Sequence, residues 1–422
     1  MSSDAARRDG GARNRRAGAY HGAMIRQHDV LIVGGGLVGA SLAIALDALD
    51  LDVALVEATP PGELPAVFDQ RNLSLAAASI NALDALGVTA LLRAPTGPIQ
   101  RIHVSRAGDF GSVRLEASDY GREAFGRVVV ARDFGEALEA RLAQLPRLAR
   151  YRPARFTGLG EQSDGAREVL LDTVEGPLRL RSRLLVAADG TRSALRDALD
   201  IGARSHDYGQ TLFVARVRGE RAPDGTAWER FTDSGPTALL PRGDRHYGVV
   251  HGVPTEQAAQ VAALDEAGWL ARLQQVFGWR AGRFLASGER SAYPLASCIA
   301  DATIAPRAVL LGNAAQTIHP VGAQGFNLGL RDALTLAELL RGHAADPGDT
   351  ALLQRHAERR REDRERTLAF SDGLARITGN RSPLLRPLRS LGLVAADRAG
   401  WVQSMLVGGA MGFRGDVPEL CR

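Results

Sequence analysis

Between an apolar tetrad, Val30–Val33, and a stretch suited to a helix, Ala40–Leu46, the residues Gly34-Gly35-Gly36-Leu37-Val38-Gly39 spell the pattern GxGxxG. Gly34 permits a tight turn, Gly36 lets a pyrophosphate approach the backbone, and Gly39 lets the following helix pack close to the strand. The start of that helix offers unpaired N–H groups and a positive dipole end to phosphate oxygens. Glu57 ends the next apolar strand, 23 residues after Gly34, where a carboxylate can accept hydrogen bonds from the 2′- and 3′-hydroxyls of an unphosphorylated ribose. This constellation reads as a dinucleotide site. It suits FAD and NAD equally.

Two later segments also carry polar groups past the ends of apolar strands. LLVAADGTRS (184–193) delivers Asp189 and Gly190 into a turn. LLGNAAQTIHPVGAQGFNLGLRDA (310–333) runs from a strand through Gly312 and Asn313 into a glycine-rich loop that opens a helix near Gly325, Phe326 and Asn327. His319, beside that loop, is a candidate acid or base, although a histidine fixing loop geometry is the plainer reading. His251 and Tyr247 are weaker candidates. The two cysteines, Cys298 and Cys421, belong to no CxxC pair or Cys/His cluster, so neither a metal site nor a disulfide framework is expected, and the compartment reads as reducing.

The elements that must position these residues follow from periodicity. Residues 29–57 form a strand–turn–helix–strand unit, helical spacing covers 74–92, and 99–117 alternates like a hairpin. A helix is predicted over 133–145 with Asp133 as its N-cap, and strands over 151–187. From 204 to 295 the pattern changes to short alternating strands, with one helix near 257–277. A strand at 307–315 restores the first style, and helices follow around 325–343 and 350–376. The charge run ERRREDRER (358–366) reads as a solvated helix face. Leu239, Leu240, Val249 and Val250 read as sheet core, or else as the lining of an entry for an apolar tail. The uncharged run 399–413, with Trp401, Met405, Leu406, Val407, Met411 and Phe413, either packs on its own domain or lies on a bilayer surface.

The fold class is therefore α/β, a Rossmann-like nucleotide-binding domain with an inserted mixed β-sheet substrate domain and C-terminal helices. Its divisions are a disordered basic leader (1–28), a discontinuous nucleotide-binding domain (29–100, 120–203 and 296–345), a substrate-binding sheet layer (101–119 and 204–295) and a C-terminal helical region (346–422).

The 422 residues are 45% hydrophobic and 24% charged, which suits a folded chain with a large core. All 52 basic residues are arginine, and the net charge is +4. Basic and acidic residues are mostly interleaved, so a nucleic-acid partner is not expected. The first 28 residues carry Arg7, Arg8, Arg13, Arg15, Arg16 and Arg26 against Asp4 and Asp9. They lack the apolar stretch of a signal peptide, and Met24 is an alternative start. The apolar run between Asp29 and Asp47 reaches the lower edge of a membrane span, but its glycines mark a strand, turn and helix instead.

Together the three segments resemble the fingerprints of the class A flavoprotein aromatic monooxygenases of the p-hydroxybenzoate hydroxylase type. Within that family the nearest group is the ubiquinone-biosynthesis hydroxylases, in particular the UbiH-type 2-polyprenyl-6-methoxyphenol hydroxylases. The likeness extends through FDQRNLSLAAASINALDALG (68–87), IHVSRAGDFGSVRL (102–115) and RFTDSGPTALLP (230–241).

The resemblance implies FAD as cofactor, NAD(P)H as co-substrate, and hydroxylation of a polyprenylated phenol with O₂ through a C4a-hydroperoxyflavin. It implies that Arg71 and Arg132 meet the pyrophosphate or ribityl chain, and that Asp189 and Gly190 support the pyrophosphate. Gly312 and Asn313 would stand at the ribityl chain. Pro320 to Asn327 would face the isoalloxazine, with the N–H groups of Phe326 and Asn327 near its N1–C2=O edge. Gly322-Ala323-Gln324-Gly325 departs from the family's usual AGQG order. A cytoplasmic location with peripheral contact on the inner membrane is expected, along with other ubiquinone-biosynthesis proteins as partners. The alternatives are a hydroxylase of a soluble aromatic substrate and a non-catalytic flavin-binding subunit.

Overall fold

The computed structural model describes residues 25–320, 322–343, 345–379 and 386–422. Most of the expected basic leader lies outside these residues, but Arg26 to His28 open the first strand, Arg26–Val33. Its apolar tetrad is wholly buried because both faces are covered. Val30 and Ile32 join one core with the helix Leu37–Leu46, while Leu31 and Val33 join a second core on the opposite face. A continuous apolar run is what a parallel strand buried on both sides requires.

That strand is central in a sheet where Ala308–Leu310, Gly176–Ala187, Arg26–Val33, Val53–Val56 and Ala149–Tyr151 run parallel in that order. Val33 stands opposite both Val56 and Ala187, and Ala187 opposite Leu310. The register therefore brings the residues just past four carboxyl ends, Gly34, Glu57, Asp189 and Gly312, to one edge. In open parallel sheets that edge is where ligands bind.

A second sheet of nine strands holds the hairpin Arg101–Arg106 and Ser112–Glu116 together with the six strands between Ala203 and Ala300 and the short strand Gln316–Thr317. The hairpin joins through a parallel pairing of Arg101–Arg106 with Thr226–Phe231. One face is covered by the helix Glu266–Phe277, whose Trp269, Leu273 and Phe277 are buried against Phe213, Leu239 and Val249. The other face looks toward the carboxyl edge of the parallel sheet. A three-stranded sheet, Asn72–Ala76, Gly126–Val130 and Gly97–Ile99, lies alongside.

Several local expectations are corrected. The helix predicted over 133–145 spans Ala131–Leu142, and Asp133 lies in its first turn, accepting hydrogen bonds from the N–H groups of Arg93 and Ala94 instead of capping. The helix near 257–277 is broken into Ala258–Ala262 and Glu266–Phe277. Asp265 restarts it by accepting from the Gly268 N–H at 2.8 Å, as an N-cap does.

The charge run at 358–366 is not wholly solvated. Helical spacing turns Arg360 and Asp363 inward from the helix Thr350–Gly379, where Arg360 is only 3% exposed, while Glu358, Arg361, Glu362 and Glu365 face water. Arg360 pairs with Asp332 at 2.7 Å and also with Asp363, and Arg331 pairs with Asp363 at 2.7 Å. These bonds fasten the long helix to the helix Gln324–Leu340.

The run at 399–413 forms the helix Gly400–Met411. Val407 and Met411 are buried, whereas Trp401 is 75% exposed with Met405 exposed one turn on. No helix among the described residues is long and apolar enough to cross a membrane.

Candidate active site

The carboxyl edge of the parallel sheet and the open face of the nine-stranded sheet enclose a cavity of about 910 Å³. Ligand pockets usually measure roughly 300–1,000 Å³, so this one suits a large ligand. Of the sequence-predicted residues, Gly34, Gly36, Glu57, Arg71, Asp189, Gly190, Asn313, Pro320, Gly325 and Phe326 all line it. They come from positions spread over most of the chain, and strand register gathers them.

The glycine turn has the shape its sequence requires. Gly34 has φ +108°, and a β-carbon there would lie 2.3 Å from the carbonyl oxygen of Ala188. A β-carbon on Gly39 would lie 1.9 Å from the carbonyl oxygen of Gly34, so the helix Leu37–Leu46 sits directly on the turn. Gly36 differs, because only Val67 comes within 3.8 Å of such an atom. Gly36 is the N-cap and offers no side chain to the first helical N–H groups, which leaves them for an anion.

Glu57 accepts from the N–H of Gly35 at 2.8 Å and of Thr59 at 2.7 Å. Each carboxylate oxygen keeps acceptor capacity for a ribose hydroxyl. Asp189 is largely engaged in its own turn, accepting from Ser193 Oγ and from the Leu195 N–H at 3.1 Å. Gly312, with φ +56°, is buried against Val38 and does not itself reach the cavity; it sets the turn that exposes Asn313.

The helix Gln324–Leu340 points its N-terminus at the cavity through Gly322, Ala323, Gly325 and Phe326. Asn327, 1% exposed, works behind this wall. Its Oδ1 accepts from the Ala76 N–H at 2.9 Å and Ser79 Oγ at 2.8 Å, and its Nδ2 donates to the carbonyls of Ser74 and Ala323. The side chain thus clamps the loop to the three-stranded sheet.

Arg132 and His319 are not brought to the cavity. The exposed Arg132 guanidinium meets Glu136 at 3.4 Å on its own helix. His319 is 4% exposed, with its ring edge-on to Tyr208 at 4.8 Å between centroids. Burial lowers its pKa to about 4 against an opposing pull from Asp372, so the ring is neutral near pH 7 and a weak base. His251 and Tyr247 are buried on the far face of the nine-stranded sheet, where Arg272 donates to His251 Nε2 at 3.0 Å and Nδ1 meets Thr237 Oγ1 at 2.9 Å.

Two features escaped the sequence. Arg71 holds Asp69 in a two-pronged pair, at 2.8 Å through Nε and 2.7 Å through Nη2, and lies 4.2 Å over the Tyr293 ring, whose hydroxyl donates to the same carboxylate. Tyr293 comes from the distant strand Ser291–Ala300, which no local pattern announces. The second is Glu229, which lines the cavity from the strand Thr226–Phe231. Burial pushes its carboxyl up to about 7. Its parity with Ala227 and Phe231, read as a period-two pattern, was the available signal.

The sheet wall is otherwise apolar. Leu212, Ile102, Ala227, Pro236, Ala238, Leu240 and Val250 line it. Strand alternation divides the four residues that the sequence left together: Leu240 and Val250 face the cavity, while Leu239 and Val249 are fully buried on the helix side.

Residues 27–371 match the family model described as an FAD binding domain. The chain is 35% identical to the ubiquinone hydroxylase UbiL of Rhodospirillum rubrum over 94% of its length and 92% of that protein's. It is 30% identical to the 3-demethoxyubiquinol 3-hydroxylase of Escherichia coli over 91% of its length and 98% of that protein's. Among solved structures, p-nitrophenol 4-monooxygenase PnpA from Pseudomonas putida shares the fold with a TM-score of 0.75 at 18% identity, covering 93% of this chain and 99% of that one.

Proposed function

We infer the function from the family: the chain belongs to the FAD-binding flavoprotein monooxygenases that include the ubiquinone hydroxylases, and it is an FAD-dependent aromatic-ring hydroxylase. We propose that its substrate is a polyprenylated phenol of ubiquinone biosynthesis, with NAD(P)H as reductant and O₂ as the source of the inserted oxygen. The observation that carries this reading is one continuous cavity. It joins a dinucleotide cradle at the Gly34 turn to a wall of Ile102, Leu212, Ala238, Leu240 and Val250. An isoprenoid tail gains roughly 25 cal/mol for each Å² of apolar surface that such a wall removes from water.

The cavity residues fit FAD. In this reading the turn Gly34–Gly36 and the start of the helix Leu37–Leu46 hold the pyrophosphate, and Glu57 holds the adenosine ribose. Arg71, Asp189, Gly190 and Asn313 bound the middle of the cofactor. Gly322 to Phe326 would set backbone N–H groups and a helix N-terminus against the ring edge that becomes negative on reduction. Bound FAD supplies two-electron reduction by NAD(P)H and activation of O₂. The protein orients the aromatic ring and keeps water from the reacting atoms.

A soluble aromatic acid is the second reading, and the sheet wall disfavours it. Among the described residues, the part of the nine-stranded sheet that lines the cavity offers a carboxylate substrate no cationic side chain, and its ionisable group, Glu229, is itself acidic.

The test is anaerobic reduction of the FAD-loaded protein by NADPH and by NADH, with and without a prenylated phenol, followed by mass analysis of the aerobic product. Phenol-stimulated reduction and a product heavier by one oxygen are expected. Stimulation by benzoates alone would replace this reading with the second.

The exposed pair Trp401 and Met405 gives the helix Gly400–Met411 an apolar edge for resting on a bilayer, where a lipid-tailed substrate resides.

A further inference from the structure

Strand register fixes what the substrate half of the cavity can offer. In the pairings of the nine-stranded sheet, Glu229 stands opposite Ala238 on one side and Val104 on the other, and Ala238 stands opposite Val250. Partners across a sheet share a face, so Glu229 projects from the same surface as Ala227, Ala238, Leu240 and Val250. Among the described residues of that surface it is the one ionisable side chain that lines the cavity.

Two other charges of the sheet face are paired elsewhere. Arg106 pairs with Asp233 at 2.7 Å and Arg216 with Asp244 at 3.0 Å. The remaining ionisable lining groups, Glu57, Arg71, Arg155, Asp189 and Arg192, belong to the nucleotide-binding half. No described residue forms an ion pair or hydrogen bond with the Glu229 carboxyl, and burial alone shifts its proton affinity. A carboxyl withdrawn from bulk water without a partner costs folding free energy. Its retention on an apolar wall points to a partner that arrives with the ligand.

Resting on the phenol-hydroxylase reading above, we propose that Glu229 is the catalytic residue that receives the substrate's phenolic hydroxyl, accepting its hydrogen bond in the ground state and its proton as the ring is attacked. The balance is simple. The phenolic O–H bond breaks, its proton passes to a Glu229 oxygen, and the released pair forms the C=O bond and pushes density to the ring carbon. That carbon bonds to the oxygen derived from O₂, whose other atom leaves as water with the two electrons of NAD(P)H. The ring then regains aromaticity: its C–H hydrogen departs as a proton to water, and Glu229 returns its own proton to the carbonyl oxygen. A carboxyl whose pKa lies near 7 is matched to taking and giving back a proton at neutral pH, and such a group contributes about 10²–10⁴-fold in rate.

The test compares wild type with Glu229→Gln and Glu229→Leu as FAD-loaded proteins, using 2-geranylphenol as substrate. Flavin content read at the visible absorbance band monitors folding and should be equal in all three. The Gln variant keeps a hydrogen-bond acceptor without a usable base, so its kcat should fall about 100-fold or more while KM moves less than about threefold. The Leu variant should lose binding as well. Wild-type kcat should rise as pH increases through about 7, because the ionised carboxylate is the active form, and both variants should lose that rise. If Glu229→Gln keeps wild-type kcat and its pH profile, the inference is overturned while the function stands. If wild type hydroxylates no phenol at all, the function is overturned and this inference with it. If either variant is colourless, Glu229 supports the flavin fold instead, which also overturns the inference.

Discussion

Gly39 packs so closely on the Gly34 carbonyl that a methyl group at residue 39 would lie 1.9 Å from the oxygen, whereas the nearest neighbour of a methyl at Gly36 is Val67 at 3.8 Å. The two glycines of one motif therefore answer to different constraints, one internal and one toward the ligand. Gly39→Ala should lower the thermal midpoint of the FAD-free protein by several degrees, since overpacking costs about 1–3 kcal/mol. Gly36→Ala should leave that midpoint within about a degree and weaken FAD binding at least about tenfold. Thermal denaturation without flavin, paired with a flavin titration, checks both.

Arg71→Ala should weaken FAD binding by about tenfold or more, as hydrogen bonds to charged groups are worth about 1.5–3 kcal/mol each. Arg71→Lys should recover only part of the loss, because an ammonium cannot reproduce the two-pronged hold on Asp69. Quenching of flavin fluorescence on binding measures both variants; wild-type affinity in Arg71→Ala would remove the residue from the cofactor site.

Asp363→Ala should destabilise the fold by about 3–5 kcal/mol, because it leaves Arg331 and Arg360 buried without their shared carboxylate. Burial pushes the Asp363 carboxyl up, but the two guanidinium groups outweigh it and hold the carboxyl below the ordinary carboxylate range. The stabilisation is complete above the unfolded value of about 4 and disappears as pH falls through the lower folded value. Urea denaturation at neutral pH and at pH 3 should show the wild-type advantage over the variant shrinking at the acid value.

Burial lowers the pKa of His319 to about 4 and of His103 to about 4. Both rings are bound neutral, so their contribution is full above about pH 6.5 and is lost as pH falls toward 4. The urea midpoint should therefore decline across that window, and His319→Asn should flatten part of the slope. The same variant should keep the neutral-pH turnover profile, because the ring does not line the cavity; loss of a limb near neutrality would return His319 to the chemistry.

Much of the cradle could be read before the structure because its signals are local. A glycine motif after an apolar strand, a carboxylate at the next strand end and the two later turns each need only a short window of sequence. What lay hidden depends on pairings between distant strands. Tyr293 reaches Asp69 across 224 positions, and the cavity role of Glu229 follows from its register against Ala238 and Val104. The role of Arg132 was carried by resemblance and that of His319 by its place beside the glycine-rich loop, and neither side chain lines the cavity. The charge run at 358–366 was misread for a related reason: composition suggests water, yet a helix can aim two of its charges at Arg331 and Asp332 on a neighbour.

Along the strands Pro236–Pro241 and Tyr247–Pro254, neighbouring residues serve opposite sides, with Ala238, Leu240 and Val250 toward the ligand and Leu239 and Val249 toward the helix Glu266–Phe277. Substitutions at Ala238, Leu240 or Val250 would reshape the ligand side while Leu239 and Val249 keep the helix contacts, whereas Gly248 and Gly252 on the same strands have no room for a side chain. A gene duplicate could therefore alter the shape of its pocket at those three positions while the scaffold contacts stay in place.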